Sequence, residues 1–126
     1  MSTAEGLYAP FMQSYEVLEN MIGMTNVTDE EKNTFLFMTN DSTHEPALLQ
    51  TPDYVPQVEV DNTEYDEAHK DRFTVDGVEM TVDSTFEMSH YHINMASMLR
   101  LGTWLDHLKA EGVYDNTKII IVADHG

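Results

Sequence analysis

The segment Lys118–Gly126 has the sequence K-I-I-I-V-A-D-H-G, and it decides the predicted fold. Its β-branched run, Ile119–Val122, is typical of a strand buried on both faces of a parallel sheet that helices cover. Asp124 and His125 follow this run. In open α/β sheets the ligand site lies beyond the carboxyl ends of the strands, so the segment predicts a functional site at these two residues.

A second apolar run, Thr34–Asn40, has the sequence T-F-L-F-M-T-N and leads into a polar cluster that contains His44. We therefore predict an α/β fold, a partial three-layer sandwich with parallel strands at about 34–40 and 118–123. The carboxyl ends of parallel neighbours meet at one edge of a sheet. This arrangement would bring His44 to the same rim as Asp124 and His125.

Two smaller elements are predicted before the last third of the chain. Apolar residues from Phe11 to Ile22 repeat at helical spacing and predict an N-terminal helix at about 10–22. Alternating valines around Asp76 and Gly77 predict a small hairpin at about 72–82, with these two residues as its turn.

A long helix is predicted at about 88–111, and Gly112 is placed just past its end. His90 and His92 stand two residues apart near its start, so they cannot share a face, and we predict that one is packed and the other exposed. The side chains that should face the core share a helical spacing: Met88, Tyr91, Met95, Met98, Leu99, Gly102, Leu105 and Leu108.

Composition limits the function classes. The chain has 126 residues, 6 of them basic and 23 acidic, and a net charge of −17. So few cations argue against binding of nucleic acid or anionic lipid through a basic face. There is no cysteine, hence no disulfide and no thiolate metal site. No apolar run approaches the roughly 18 residues of a membrane span. The chain can form one domain.

Each candidate site residue also has a structural interpretation. A carboxylate and an imidazole suit zinc or manganese, and Gly126 would let the backbone turn so that Asp124 and His125 reach one ion. The alternative is a polar strand end followed by a turn, and two ligands are too few for a complete site. His44 could hold an anionic group, or it could be a loop histidine bonded to backbone. No base or metal is visibly tied to Ser42 or Thr43, so neither is assigned as a nucleophile.

The stretch L-G-T-W-L-D-H-L-K-A-E-G-V-Y-D-N-T-K-I-I-I-V-A-D-H-G, from Leu101 to Gly126, resembles the sulfatase-type branch of the alkaline phosphatase superfamily. Within it, the resemblance is to membrane-anchored cell-envelope enzymes similar to lipoteichoic acid synthases and phosphoethanolamine transferases. The earlier stretch F-L-F-M-T-N-D-S-T-H-E-P resembles a strand of that family and the turn that follows it. The positions of Tyr91 and Asn94 in the long helix also fit, whereas the stretch 55–87 does not.

The resemblance implies metal-dependent transfer of a phosphoryl or sulfuryl group through a covalent Thr or Ser intermediate. Asp124 and His125 match metal ligands, and His44 matches the histidine that holds the anionic group of the substrate. The divalent metal would be manganese, zinc, magnesium or calcium in the intact enzyme, with none bound in this piece. The substrate would be an anionic phosphate or sulfate ester, either free or linked to a lipid. The family's nucleophile and its other ligands have no match, so no catalytic residue is assigned.

From this we expect residues 1–126 to be a single domain and a fragment of a larger catalytic domain, inactive by itself and soluble. The parent protein would be bacterial, with its catalytic domain outside the cell membrane. Sheet edges left unpaired would promote self-association. One alternative is a non-catalytic or degenerate α/β domain that binds an anionic envelope polymer or a protein partner. Another is a plain α/β module without a site.

Overall fold

The computed structural model describes residues 9–125. The helices are α1 (Ala9–Glu19), α2 (Met21–Met24), α3 (Thr63–Ala68) and α4 (Thr85–Ala110), and 3₁₀ turns occur at Lys70–Phe73 and Tyr114–Asn116. Strands β1 (Thr74–Val75) and β2 (Val78–Glu79) pair antiparallel, with Thr74 opposite Glu79 and Val75 opposite Val78. No helix within this part of the chain combines the length and the apolar character needed to cross a membrane.

The predicted three-layer sandwich with parallel strands is wrong. Within residues 9–125 the sheet has two strands, β1 and β2, and neither 34–40 nor 118–123 belongs to it. A strand needs the backbone of a neighbour to satisfy its N–H and C=O groups. Neither segment finds one, and their side chains stay in solvent: Phe35 is 88% exposed and Val122 is 81% exposed.

The predicted local elements are present with different bounds. The helix expected at 10–22 is divided into α1 and α2, with Asn20 between them. The hairpin expected at 72–82 contains β1 and β2. Its turn residues Asp76 and Gly77 have φ of 51° and 78°, the positive values that a two-residue type I′ turn requires.

Helix α4 begins three residues before the predicted helix because a capping box fixes its start. The Ser84 side chain accepts a hydrogen bond from the backbone N–H of Glu87, and the Glu87 carboxylate accepts one from the backbone N–H of Ser84. At the other end Gly112 has a φ of +71°. Its N–H donates to the carbonyl of Lys109, and the N–H of Val113 donates to that of Leu108, which is a Schellman motif.

The face of α4 that meets the core differs from the predicted stripe. Met98 is 52% exposed and Leu99 is 39% exposed, although both were expected to be packed. Small residues on α4 let the backbone of neighbouring segments approach the helix closely. The closer packing offsets the smaller apolar area that these side chains bury. The buried residues of α4 are Ser89, His92, Ile93, Ala96, Ser97 and Leu108. Of these, only Leu108 belongs to the predicted stripe.

The core is formed by α1, the segment 47–54 and the middle of α4. The rings of Phe11 and Tyr15 stack with their centroids 5.5 Å apart, and both side chains are buried. Segment 47–54 is held by Asn62, whose amide group donates to the carbonyl of Leu49 and accepts from the N–H of Thr51. The buried cluster comprises Phe11, Tyr15, Ala47, Leu49, Tyr54, Ile93 and Ala96.

The Schellman motif at the end of α4 can be tested with one pair of glycine substitutions. A Cβ added at Gly112 or at Gly102 would meet nothing within 4 Å, so both changes act through the backbone alone. We expect Gly112→Ala to lower the free energy of unfolding by about 1–2 kcal/mol, because alanine disfavours a left-handed conformation. Gly102→Ala, inside α4, should raise it by about 0.5–1 kcal/mol. Urea denaturation followed by circular dichroism measures both, and equal effects of the same sign would contradict the Schellman end.

Candidate functional site

Asp124 and His125 lie side by side and face solvent. Their side chains are 93% and 75% exposed, and His125 Nε2 is 3.8 Å from Asp124 Oδ1. Asp124 Oδ1 also accepts the backbone N–H of His125 at 3.0 Å. Neither side chain is paired with a lysine or arginine in the described part of the chain. The pair therefore offers two metal-binding donors on one local turn. Gly126, which was predicted to permit that turn, lies outside the described residues.

His44 lies in a turn that follows the first apolar segment. Its backbone N–H donates to the carbonyl of Asp41 at 3.0 Å, and its Nδ1 is 3.1 Å from Glu45 Oε1. The carboxylate can only accept, so Nδ1 carries the proton in this contact. The imidazole lines an open depression of about 320 Å³ together with Pro10, Gln13, Ser14, Asp41 and Glu45. The two carboxylates make this depression acidic.

A chain of hydrogen bonds fixes the turn that contains His44. The amide of Asn40 donates to the carbonyl of Ser14 and accepts from the N–H of Ser42. Ser97 donates its hydroxyl hydrogen to the carbonyl of Ile93, so the 2.7 Å contact between Ser42 and Ser97 has Ser42 as its donor. Ser42 is buried and its only hydroxyl hydrogen is used in this bond. Its role is to attach the turn to α4.

The structure does not place Asp124 and His125, the predicted metal ligands, in a larger group of potential ligands within residues 9–125. Among residues 9–125, no group of three or more histidine, aspartate or glutamate side chains is close enough to hold a metal ion. The sheet that would have carried His44 and the Asp124–His125 pair to a common rim is absent from this part of the chain. The arrangement therefore supplies one exposed pair of donors and one separate histidine.

His92 is a buried polar group whose role the sequence prediction left open. It is fully buried, whereas His90 is partly exposed, as the two-residue spacing predicted. The N–H of Leu49 donates to His92 Nδ1 at 3.0 Å. A backbone N–H can only donate, so Nδ1 carries no proton, and the ring is neutral with its hydrogen on Nε2. Burial lowers the pKa of His92, which agrees with a neutral ring.

The surroundings of His92 contain a second, larger depression of about 380 Å³. The ring lies at its inner wall, and its Nε2 has no hydrogen-bond partner within the described residues. Carboxylates of Asp61, Asp66 and Asp83 also line it, and Asp66 pairs with Arg72. Since the free ring nitrogen carries a hydrogen, it is not available as a metal ligand. The small residues Ser89, Ala96 and Ser97 at helical spacing are the sequence signal that could have placed His92 on the buried face.

The comparisons with known proteins add no relative: the chain matches no protein-family model, no curated protein and no solved structure.

The neutral state of His92 predicts how stability depends on pH. Its pKa is lowered from 6.5 in the folded chain, so the unfolded chain binds a proton first as the pH falls. Stability should therefore decrease below pH 6.5. If the ring stays neutral in the folded chain, it would account for a decrease in the free energy of unfolding of at most about 1.4 kcal/mol between pH 7.5 and 5.5. In His92→Asn the side-chain oxygen can still accept from Leu49, and this part of the loss should disappear.

The measurement is urea denaturation of both proteins at the two pH values. His44→Asn, which changes an exposed imidazole, is the matched control and should not remove the part of the loss that is assigned to His92. If His92→Asn does not fold, the Cε1 chemical shift of His92 gives the same information, because the folded ring should still be neutral at pH 6.5. A His92 signal that is half titrated at pH 6.5 would contradict the prediction.

Proposed function

We propose that this chain supplies metal-binding and substrate-binding groups to a metal-dependent enzyme of the cell envelope that transfers phosphoryl or sulfuryl groups. The observation that carries the proposal is the Asp124–His125 pair, two exposed donors directly after a β-branched run. The same order of residues occurs in the sulfatase-type branch of the alkaline phosphatase superfamily. The proposal concerns the site residues and does not use the sandwich fold, which residues 9–125 do not form.

The donor set of this pair fits a divalent ion in part. Oδ2 of Asp124 makes no hydrogen bond within the described residues, and the ring of His125 contacts only its neighbour. A carboxylate oxygen and a neutral imidazole nitrogen are ligands of zinc and manganese. Such ions take four or more ligands, so this pair would supply only part of the ligand set. When bound, the ion would lower the pKa of the nucleophile and neutralise charge on the transferred group.

His44 would hold an anionic oxygen of the substrate only as an imidazolium. Its Nδ1 hydrogen faces Glu45, so the neutral ring presents a bare Nε2, which would repel such an oxygen. The protonated ring donates from Nε2 while Glu45 stabilises its charge. Asp41 and Glu45 would repel a free anion, and a bound cation near the substrate would offset that repulsion.

The alternative of a non-catalytic domain that binds an anionic envelope polymer is less well supported. A net charge of −17 opposes that partner, and the depression at His44 contains two further carboxylates. A divalent cation is the ligand that this charge attracts.

The metal assignment can be tested by paramagnetic line broadening with Mn²⁺ in nuclear magnetic resonance spectra. At substoichiometric Mn²⁺ the signals of Asp124 and His125 should broaden first, and Asp124→Asn should abolish that preference. Asp29→Asn removes the same charge from an exposed acidic segment and is the matched control. Broadening that is equal at Asp29 and Asp124, or unchanged in Asp124→Asn, would show diffuse attraction of the cation to an acidic surface and would refute the site.

The enzyme assignment needs a separate measurement. With Mn²⁺ and the diester bis(4-nitrophenyl) phosphate, this chain should show no turnover, because it provides no nucleophile. A longer polypeptide that contains this chain and supplies a Ser or Thr nucleophile and an acidic ligand should turn over, and Asp124→Asn should lower its kcat/KM by more than about 100-fold, since even indirect partners of a ligand cost 10–100-fold. Turnover by the chain alone, or an Asp124→Asn enzyme of full activity, would refute the assignment.

A further inference from the structure

The segment Lys118–Asp124 contains an exposed apolar run that has no partner strand within residues 9–125. Ile120, Ile121 and Val122 are 73%, 58% and 81% exposed. No backbone group of residues 118–123 takes part in a hydrogen bond within the described part of the chain. An uncharged β-branched run with free backbone groups is the kind of sequence that pairs with another strand.

The charges that flank this run determine which pairing is favourable. Lys118 precedes the four β-branched residues and Asp124 follows Ala123. In an antiparallel pair of two identical segments centred on Ile121, Lys118 of each copy lies opposite Asp124 of the other. Two opposite-charge pairs then close the two ends. In a parallel, in-register pair, lysine would lie opposite lysine and aspartate opposite aspartate, which is unfavourable.

The alternation of side chains is consistent with this register. In a strand, residues two apart lie on the same face. Lys118, Ile120, Val122 and Asp124 therefore share one face, and in the antiparallel pair Ile120 lies opposite Val122 on that face. Ile121 lies opposite its own copy on the other face, flanked by Ile119 opposite Ala123. Every cross-strand pair is thus apolar with apolar or positive with negative.

We propose that two copies of this chain associate through an antiparallel pair of Lys118–Asp124 segments in a two-fold symmetric register centred on Ile121. The interface uses the same surface on both copies, which is the arrangement of a two-fold dimer. One pair of short strands buries much less than the roughly 800 Å² per partner of a stable complex, so the dimer is weak. Repulsion between two copies of charge −17 is screened beyond about 8 Å at physiological salt.

This dimer does not depend on the proposed enzyme function, although Asp124 takes part in both. A metal ion on Asp124 would compete with the lysine of the other copy. All association measurements are therefore made in 0.15 M salt with EDTA, so that failure of the dimer and failure of the metal site are observed separately.

The test is a charge exchange between the two ends of the segment, measured by sedimentation equilibrium. Lys118→Asp and Asp124→Lys each place like charges opposite each other at both ends of a homodimer. Each variant alone should dimerise roughly five- to tenfold more weakly than the unsubstituted chain. In an equimolar mixture of the two variants, each charged residue lies opposite a residue of the other sign. The mixed dimer should therefore form as strongly as the dimer of the unsubstituted chain. In ¹⁵N-labelled Lys118→Asp, the signals of 118–124 should shift when unlabelled Asp124→Lys is added.

Matched controls separate this register from general attraction. The variants Lys32→Asp and Asp29→Lys make the same charge changes at exposed positions elsewhere. Their equimolar mixture should associate no more strongly than either variant alone. Phe37→Ser, in the other exposed apolar run, should leave dimerisation unchanged. Ile121→Lys puts like charges at the centre of the pair and should abolish it.

Several outcomes would overturn the proposal. The chain could stay monomeric at millimolar concentration, or Lys118→Asp could leave dimerisation unaffected. The control mixture could associate more strongly than its separate variants, or Phe37→Ser could abolish the dimer. The chain could also assemble into open-ended fibres in place of a dimer.

Discussion

The hydrogen bond from the N–H of Leu49 to Nδ1 of His92 is the contact on which the rest of the structure depends. It joins the irregular segment 47–54 to the middle of α4, where both partners are buried. The bond fixes the ring in one neutral tautomer and places Tyr54 against it, with ring centroids 5.2 Å apart. Protonation of Nδ1 would remove this bond and leave a charge in the core, so the core of this acidic chain is sensitive to acid.

The position of the His44 turn follows from the same packing. Small residues on α4 let the chain approach closely enough for Ser42 to bond to Ser97. On the other side, Asn40 is tied to Ser14 of α1. The turn is therefore held between two helices, while the apolar run before it remains in solvent. This explains how His44 can occupy a defined depression without any sheet beneath it.

The two exposed apolar runs are the unusual feature of the surface. Monomeric proteins rarely leave large contiguous apolar areas in water. Both runs have the composition of buried strands, and both precede candidate site residues.

The sequence by itself determined the elements whose causes are local. Helix α4, its end at Gly112 and the turn at Asp76 and Gly77 depend on spacing, capping and backbone conformation within a few residues. Burial of one histidine of the 90–92 pair followed from helix geometry.

Only the tertiary structure decided which surfaces are buried and which runs become strands. The β-branched run at 119–122 has the propensity of a buried strand. Pairing also requires a neighbouring strand at the right distance, and the spacing of residues within the run does not show whether such a neighbour exists. The same holds for the face of α4. Its methionines and leucines predicted one stripe, whereas Ala96, Ser97 and His92 pack inside because close approach of α1 and the segment 47–54 favours small or hydrogen-bonded side chains there. Strand pairing and packing are relations between distant segments, and for this reason local sequence patterns left them undetermined.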